Sequence, residues 1–346
     1  MKSRVLHISH AANVAPSTQR RRERGLLAGA GRGEAHLHVC TLAPTDVLAV
    51  GAFHRMPERT SDVVLWKRHT GGRALPAGSG FVIVSLALPH RAALVDEDRL
   101  ALAPEQVLNR CVRGLLSALR SLGVDVVYPG LDLLTHTRRS IGALSFVEMG
   151  DPTLFQAVLP VSASLGDGPF LLDRADPEGV IPVSFIGEAE TTRLEAIVPA
   201  KRDEFAPAAF AGHLARGYTE ALGIETQRQG DDLTRALAAE HQGDPPIADH
   251  PILEGTAVRA TGLLGPVDVW ARTDAGRIAD LQLRGDFIAP IEAPDALARA
   301  LRGCPTDPEE IEKMVTAFLD RDRGYLLGLR PADLVDLIRR SATVPP

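Results

Sequence analysis

The stretch Trp66–Leu86 reads WKRHTGGRALPAGSGFVIVSL. Basic side chains surround a Gly-Gly pair, and a strand with almost no polar atoms follows. Backbone N–H groups at paired glycines can approach a carboxylate or phosphate closely, because no Cβ intervenes. The stretch therefore indicates either a binding loop for an anionic small molecule or a Gly-rich turn with solvated cations.

Strands flank this loop on both sides. DVVLW at 62–66 enters it, and FVIVSLALP at 81–89 has the apolar run expected of a strand covered on both faces. Residues 36–50 predict short strands broken at Ala43-Pro44. The apolar strand after the loop could form the wall of a slot for an aliphatic tail. The loop is neither a Walker loop nor a Rossmann fingerprint, because the required spacing and following helix are absent.

The remainder of the chain alternates helical and strand patterns. Apolar residues recur at helical spacing from Pro104 to a stop at Gly123, and 205–241 is also helical. Segments 138–149 and 154–163 flank Gly150-Asp151-Pro152, which predicts a hairpin. After the turn-rich segment 243–251 come a further hairpin over 265–288 and helices at 308–319 and 331–340. We predict an α+β protein with a catalytic domain at 1–250 and a small accessory domain at 251–346.

Composition narrows the functional classes. The formal net charge of -6 argues against a general nucleic-acid binder. No apolar run approaches the length that spans a bilayer, and the N-terminus lacks the apolar core of a signal peptide. The three cysteines, Cys40, Cys111 and Cys304, are widely spaced and favour a reducing compartment. We therefore expect a cytoplasmic protein without nucleic-acid or membrane partners.

Three further patterns bear on the site. Arg138 and Arg139 begin an apolar strand that passes through Gly142, and only one of the pair can face a given pocket. The run RRRERG at 20–25 is typical of a solvated helix face, and alternatively suits an acidic carrier domain. His36, His38 and Cys40 alternate on a strand without a fourth ligand at telling spacing, so we predict no metal site there.

The order of these pieces resembles the lipoate–protein ligases, of the wider biotin/lipoate ligase group. That family carries Arg-Arg-x-Ser/Thr-Gly-Gly-Gly, and further on Gly-Asn-x-Asn-x-Ser. The matching positions here are Lys67, Arg68, Thr70, Gly71, Gly72, Gly80 and Ser85. Gly51 matches the preceding Gly-x-x-Gln segment, Asp132 the aspartate of an Asn-Asp pair, and Gly142 the glycine of Lys-x-x-Gly. The resemblance extends over nearly the whole chain.

The resemblance implies a fold, a reaction and a partner. The fold would be a lipoate/biotin ligase-like catalytic domain, with sheets flanked by helices, plus an accessory domain. Lipoate or octanoate would attack ATP, with Mg²⁺ assisting, and the acyl-AMP would pass its acyl group to a lysine of a lipoyl-domain carrier protein. The implied ligand-binding residues are Arg68, Thr70, Gly71, Gly72, Arg73, Ser85, Asp132 and Gly142, and Arg139 would act in catalysis.

Several positions depart from the family pattern. Arg139 stands where the family has its catalytic lysine, and arginine is larger and planar. Arg73 replaces the third glycine, Ala77 the histidine and Ile83 the second asparagine, while Leu131 replaces the asparagine before Asp132. Two hypotheses follow. Either the chain is an active ligase with rearranged contacts, or it is a catalytically impaired paralogue that binds an acyl ligand or a lipoyl carrier without adenylation.

Overall fold

The computed structural model describes residues 5–43, 46–57, 62–229 and 257–343 of the chain. Its strands are β1 (Val5–Val14), β2 (Ala35–Leu42), β3 (Val47–Val50), β4 (Val64–Lys67), β5 (Leu75–Pro76), β6 (Phe81–Leu88), β7 (Leu133–His136), β8 (Arg139–Glu148), β9 (Thr153–Pro160), β10 (Glu225–Arg228), β11 (Val258–Thr261), β12 (Pro266–Asp274) and β13 (Arg277–Gly285). Its α-helices are α1 (Pro16–Gly31), α2 (Val107–Cys111), α3 (Arg113–Ser121), α4 (Gly168–Ala175), α5 (Leu194–Ile197), α6 (Pro207–Leu222), α7 (Ala293–Leu301), α8 (Pro308–Leu319) and α9 (Pro331–Thr343).

A seven-stranded mixed sheet forms the centre of the first unit. Its order is β10-β1-β2-β6-β9-β8-β7, with β1 parallel to both neighbours and β6, β9 and β8 running antiparallel. Helices α3 and α6 pack on each other, and their apolar residues join those of the sheet in one core. Helix α1 crosses the sheet and contacts β2, β6 and β9. Every residue of β6 and β9 is buried, as expected for strands covered on both faces.

A three-stranded sheet of order β4-β3-β5 carries the Gly-Gly loop between β4 and β5. β3 lies parallel to β4 and antiparallel to β5, so the chain reverses within the loop. Residues of this sheet pack against Phe81, Ile83 and Val158 of the large sheet. The apolar wall expected beyond the loop is therefore already occupied by packed side chains.

The C-terminal unit is a third sheet, β11-β12-β13, packed with α7, α8 and α9. Its core extends to Phe53 of the first unit, whose ring stacks on Phe287 at 4.5 Å between centroids. The predicted domain boundary at 250/251 lies outside the described residues. The helix predicted over 205–241 is wrong at 223–229, because α6 ends at Gly223 in the left-handed conformation and Glu225–Arg228 form strand β10.

The predicted α+β class is confirmed, as are the two hairpins and the helices in the segments 308–319 and 331–340. Residues 104–123 form a 3-10 turn followed by α2 and α3 instead of one helix.

The interpretation of 20–25 as a solvated helix face is wrong. This segment lies in α1 and none of its residues is exposed; Glu23 is 0% and Arg22 6% exposed. The helix lies across the sheet, and Ser85 of β6 and Gln156 of β9 donate hydrogen bonds to Oε1 of the Glu23 carboxylate. The other three arginines of the segment are half-buried, and the alternative of a carrier-domain surface stays a prediction.

Candidate functional site

Arg68, the last residue before the turn into the Gly-Gly loop, is 1% exposed. Its Nη1 donates to Ser145 Oγ at 3.2 Å, and its Nη2 donates to the carbonyls of Gly71 and Arg73 at 3.3 and 2.6 Å. Its Nε is buried without a hydrogen-bond partner. Burial lowers the pKa of the Arg68 guanidinium to about 10, although nearby carboxylates raise it. The guanidinium thus orders the loop and keeps one donor unused.

A row of polar side chains crosses the large sheet beneath α1. Strand register pairs Ser9 with His38, His38 with Ser85, Ser85 with Gln156 and Gln156 with Ser145. All five side chains are buried, and Ser145 Oγ further donates to Thr70 Oγ1 at 2.8 Å. Buried polar side chains in folded proteins almost always have hydrogen-bond partners. We call the part around Arg68 the buried polar cluster; it comprises Gln19, Glu23, Arg68, Thr70, Ser85, Ser145 and Gln156.

Glu23 supplies the acidic group of this cluster. Its Oε1 accepts hydrogen bonds from Gln19, Ser85 and Gln156 at 3.1, 3.2 and 2.7 Å, and its Oε2 has no hydrogen-bond partner. Burial raises the pKa of the Glu23 carboxyl to about 7, against the lowering effect of its hydrogen bonds and of the Arg68 charge. The carboxyl therefore exchanges its proton near neutral pH, next to a buried cation.

The Gly-Gly pair meets the C-terminal unit. Gly72, at φ +80°, donates its N–H to the Phe287 carbonyl at 2.7 Å. A Cβ on Gly71 would lie 2.4 Å from that same oxygen, so only glycine permits the approach. The neighbouring Asp286 accepts from His54 Nε2 at 2.9 Å and from Ser184 N–H at 3.1 Å, with both His54 and Asp286 fully buried. The amide of Gly72, predicted to hold an anion, holds a backbone carbonyl in this arrangement.

Arg73 and Asp132 form a nearly buried ion pair. Arg73 Nε and Nη2 donate to the two carboxylate oxygens of Asp132 at 2.5 and 3.1 Å. The Asp132 bond raises the pKa of Arg73 overall, although burial acts in the opposite direction. Both Asp132 oxygens therefore accept hydrogen bonds from Arg73, which neutralises this carboxylate in the present arrangement. Among the described residues no group of three or more His, Cys, Asp and Glu side chains could hold a metal ion.

Arg139 lies apart from the buried polar cluster. It is exposed at the start of β8 and lines a polar cavity of about 410 Å³ together with Ser164 and Asp167. Ser145, the partner of Arg68, is six residues further along the same strand, roughly 20 Å away. The structure therefore does not bring Arg139 and Arg68 to one ligand group. Gly142, between them, is buried where a Cβ would lie 2.7 Å from Leu159 Cδ2, which indicates a packing role.

The cysteines and strand histidines have ordinary surroundings. Burial raises the pKa of the Cys40, Cys111 and Cys304 thiols, that of Cys111 to about 12. A thiol with a raised pKa is a poor nucleophile at neutral pH. His36 Nε2 lies 3.0 Å from Glu34 Oε2, and His38 Nδ1 lies 2.9 Å from Ser9 Oγ.

The sequence pointed to Arg68, Thr70 and Ser85, which the structure does bring together, but not to Glu23, Ser145 and Gln156. A signal was present in β6, where Ser85 is the one polar residue of FVIVSLAL, and in β9, where Gln156 interrupts the apolar run LFQAVL. Polar residues in the middle of adjacent apolar strands indicate a shared polar row. Glu23 could not be identified from the sequence, because the arginines around it predicted an exposed segment.

Comparison with known proteins places the fold. No family model matches the sequence, and no curated protein matches it. Among solved structures, P. falciparum LipL1 in complex with lipoate aligns with a TM-score of 0.65 and 12% identity, covering 97% of this chain and 98% of that one. Lipoate-protein ligase A bound with ATP aligns with a TM-score of 0.52 and 17% identity, covering 70% of this chain and 95% of that one. The predicted fold is confirmed: this chain has the α+β fold of the lipoate–protein ligases. No helix among its described residues is long and apolar enough to cross a bilayer.

Proposed function

We propose that this protein is a lipoate–protein ligase-like enzyme that activates lipoate or octanoate with ATP. The carboxylate of the acid attacks the α-phosphate of ATP, which releases pyrophosphate and forms acyl-AMP. A lysine amine of a lipoyl domain then attacks the acyl carbon and releases AMP. Support comes from neighbours of the same fold, one described with ATP and another with lipoate.

The buried polar cluster is the observation that carries this proposal. A buried arginine and a buried glutamate cost stability, and apolar residues of similar size would pack there at lower cost. Arg68 Nε and Glu23 Oε2 also lack hydrogen-bond partners, which raises that cost further. A site that must neutralise a carboxylate or phosphate accounts for the buried Arg68, which would stabilise the developing charge, while the nearby Glu23 charge favours the protonated guanidinium.

One specific observation favours the second candidate, a paralogue that binds an acyl ligand or a lipoyl carrier without adenylation. Gly72 and Arg73 are engaged by Phe287 and Asp132, and Arg139 lies far along β8. An enzyme using this arrangement would have to displace Phe287 and Asp132 from Gly72 and Arg73 before the phosphate could bind there.

Pyrophosphate release separates the two candidates. Purified protein is incubated with ATP, Mg²⁺ and lipoate, octanoate or biotin. We expect release with lipoate or octanoate and none with biotin. If no acid triggers release while an acid or a synthetic acyl-AMP still binds in a calorimeter, the ligase proposal is wrong and the binding paralogue is supported.

A matched pair of variants tests the catalytic part proposed for Arg139. Arg139→Lys and Arg138→Lys alter adjacent exposed arginines by the same chemistry. Because Arg139 lies apart from Arg68, we expect both variants to release pyrophosphate at the wild-type rate, and a changed rate in Arg139→Lys alone would place Arg139 in the mechanism. Equal rates in both variants and the wild type would remove Arg139 from the mechanism.

A further inference from the structure

A groove lined by leucines lies between the two units of the protein. Its volume is about 430 Å³, within the range of small-molecule sites, and eight leucines line it, among them Leu108, Leu131, Leu263 and Leu327. Leu131 and Leu263 are 53% and 57% exposed, although most large apolar side chains of the described residues are buried. Such a concave apolar surface marks an interaction site more often than a packing defect.

The groove walls are rigid because the two units are tied together beside it. Within the C-terminal unit, Ile288 and Leu327 exchange both backbone hydrogen bonds, at 2.9 and 2.7 Å. Side-chain hydrogen bonds join this unit to the first. Tyr325 donates to Glu148 at 2.7 Å, and Arg91 Nη2 donates to Asp322 at 2.6 Å. The groove is thus formed before a ligand arrives, which lowers the entropy cost of binding.

Leu131 is held in an unfavourable conformation at the mouth of the groove. Its φ is +58°, a region that favours glycine, and Tyr128 Oη donates to its carbonyl at 2.8 Å. An exposed leucine in this conformation stabilises neither the backbone nor the core. An apolar ligand bound in the groove would bury this exposed side chain.

The lining chemistry identifies the occupant. The hydroxyls of Tyr128 and Tyr325 are already hydrogen-bonded within the protein, so they would have to give up those bonds to meet the backbone of a peptide. A hydrocarbon chain needs no such groups. Arg330 stands at the rim with a 73% exposed side chain, and its pair with Asp333 is exposed enough to yield to a ligand carboxylate. Glu105 also lines the groove, so the ligand carboxylate has to lie at Arg330 and not beside this acidic side chain.

We infer that this groove binds the hydrocarbon chain of a fatty acid, with the carboxylate at Arg330. The groove adjoins the candidate site, because Ile288 also contacts the Gly72 position and Leu131 precedes Asp132. It is separate from the buried polar cluster, and binding there requires no ATP. The inference therefore does not depend on the adenylation chemistry proposed above.

Titration calorimetry with hexanoate, octanoate, decanoate and dodecanoate, without ATP, tests this inference. Affinity should rise about fourfold per added CH₂ until the groove is full, since each buried CH₂ contributes about 0.8 kcal/mol. Leu263→Asp should lower the affinity for decanoate at least tenfold. Leu100→Asp is the matched control, because Leu100 is 60% exposed and does not line the groove. Affinity that is independent of chain length, or equal in the two variants, would overturn the inference.

Leu131→Gly gives a second test that does not risk unfolding. Glycine suits a φ of +58°, so the melting temperature should stay the same or rise while decanoate affinity falls several-fold. If instead Arg68→Gln abolishes acid binding and the two leucine variants retain it, the acid binds at the Gly-Gly loop and the groove inference is wrong. If the groove binds acids and pyrophosphate is never released, the ligase proposal alone fails.

Discussion

Replacing Glu23 with glutamine should change how stability depends on pH. Glu23 is fully buried, its Oε1 accepts three hydrogen bonds and its Oε2 accepts none. Glutamine has nearly the same size and its oxygen can accept the same three bonds. The substitution therefore removes the titration of this group while preserving most of its packing.

The magnitude follows from the pKa of Glu23. Burial raises it from 4.5 to about 7 in the folded protein, so the folded state binds the proton more tightly. The associated stabilisation is complete below pH 4.5 and is lost as the pH rises through 7. At about 1.4 kcal/mol per pKa unit, the full loss is about 3 kcal/mol, of which roughly 2 kcal/mol falls between pH 5 and 8.

His69 acts in the opposite direction and must be separated from this effect. Burial lowers its pKa from 6.5 to about 3, so its stabilisation is present above pH 6.5 and is lost as the pH falls towards 3. The two contributions oppose each other between pH 5 and 6.5. Only the difference between Glu23→Gln and the wild type isolates Glu23, because His69 is common to both.

Urea unfolding at pH 5, 6.5 and 8 measures this difference. The free energy of unfolding of Glu23→Gln, relative to the wild type, should increase by about 2 kcal/mol from pH 5 to pH 8. Glu312→Gln, an exposed glutamate on α8, serves as control and should give a constant difference within about 0.5 kcal/mol. A constant difference for Glu23→Gln as well would refute the reasoning, because Glu23 would then titrate alike in both states.

Two further substitutions test the contacts around the Gly-Gly loop, both by urea unfolding. Arg73→Gly leaves the Asp132 carboxylate, which is 2% exposed, without its cation and should lower the free energy of unfolding by about 3 kcal/mol. Adding Asp132→Asn should restore more than half of that loss. An unchanged free energy of unfolding in Arg73→Gly would contradict a buried ion pair. Gly71→Ala places a Cβ 2.4 Å from the Phe287 carbonyl oxygen and should lower the free energy of unfolding by about 2 kcal/mol. The control Gly31→Ala, whose Cβ has no atom nearer than 3.8 Å, should leave the stability unchanged or raise it slightly. Equal stabilities of the two variants would mean that the two units do not meet at Gly71.

Local pattern in the sequence determined most of the secondary structure and the class of fold. The apolar run at 81–89, the hairpin around Gly150 and the proline-started helices at 308 and 331 each depend on neighbours within a few residues. The Gly-Gly loop differs, because its glycines are required by the close approach of a backbone that is distant in sequence. The sequence of the loop does not show which group approaches it, because that group is the carbonyl of Phe287, more than 200 residues further along the chain.

Tertiary structure decided the membership of the site. Ser85, Gln156 and Ser145 become neighbours only through the pairing of three strands, and Glu23 joins them only because α1 crosses that sheet. The separation of Arg139 from Arg68 likewise follows from the length of β8 between Arg139 and Ser145. Residue type and spacing identified candidate cations along the chain, whereas strand register and helix placement determined which of them share a buried environment, because those contacts join residues that are distant in sequence.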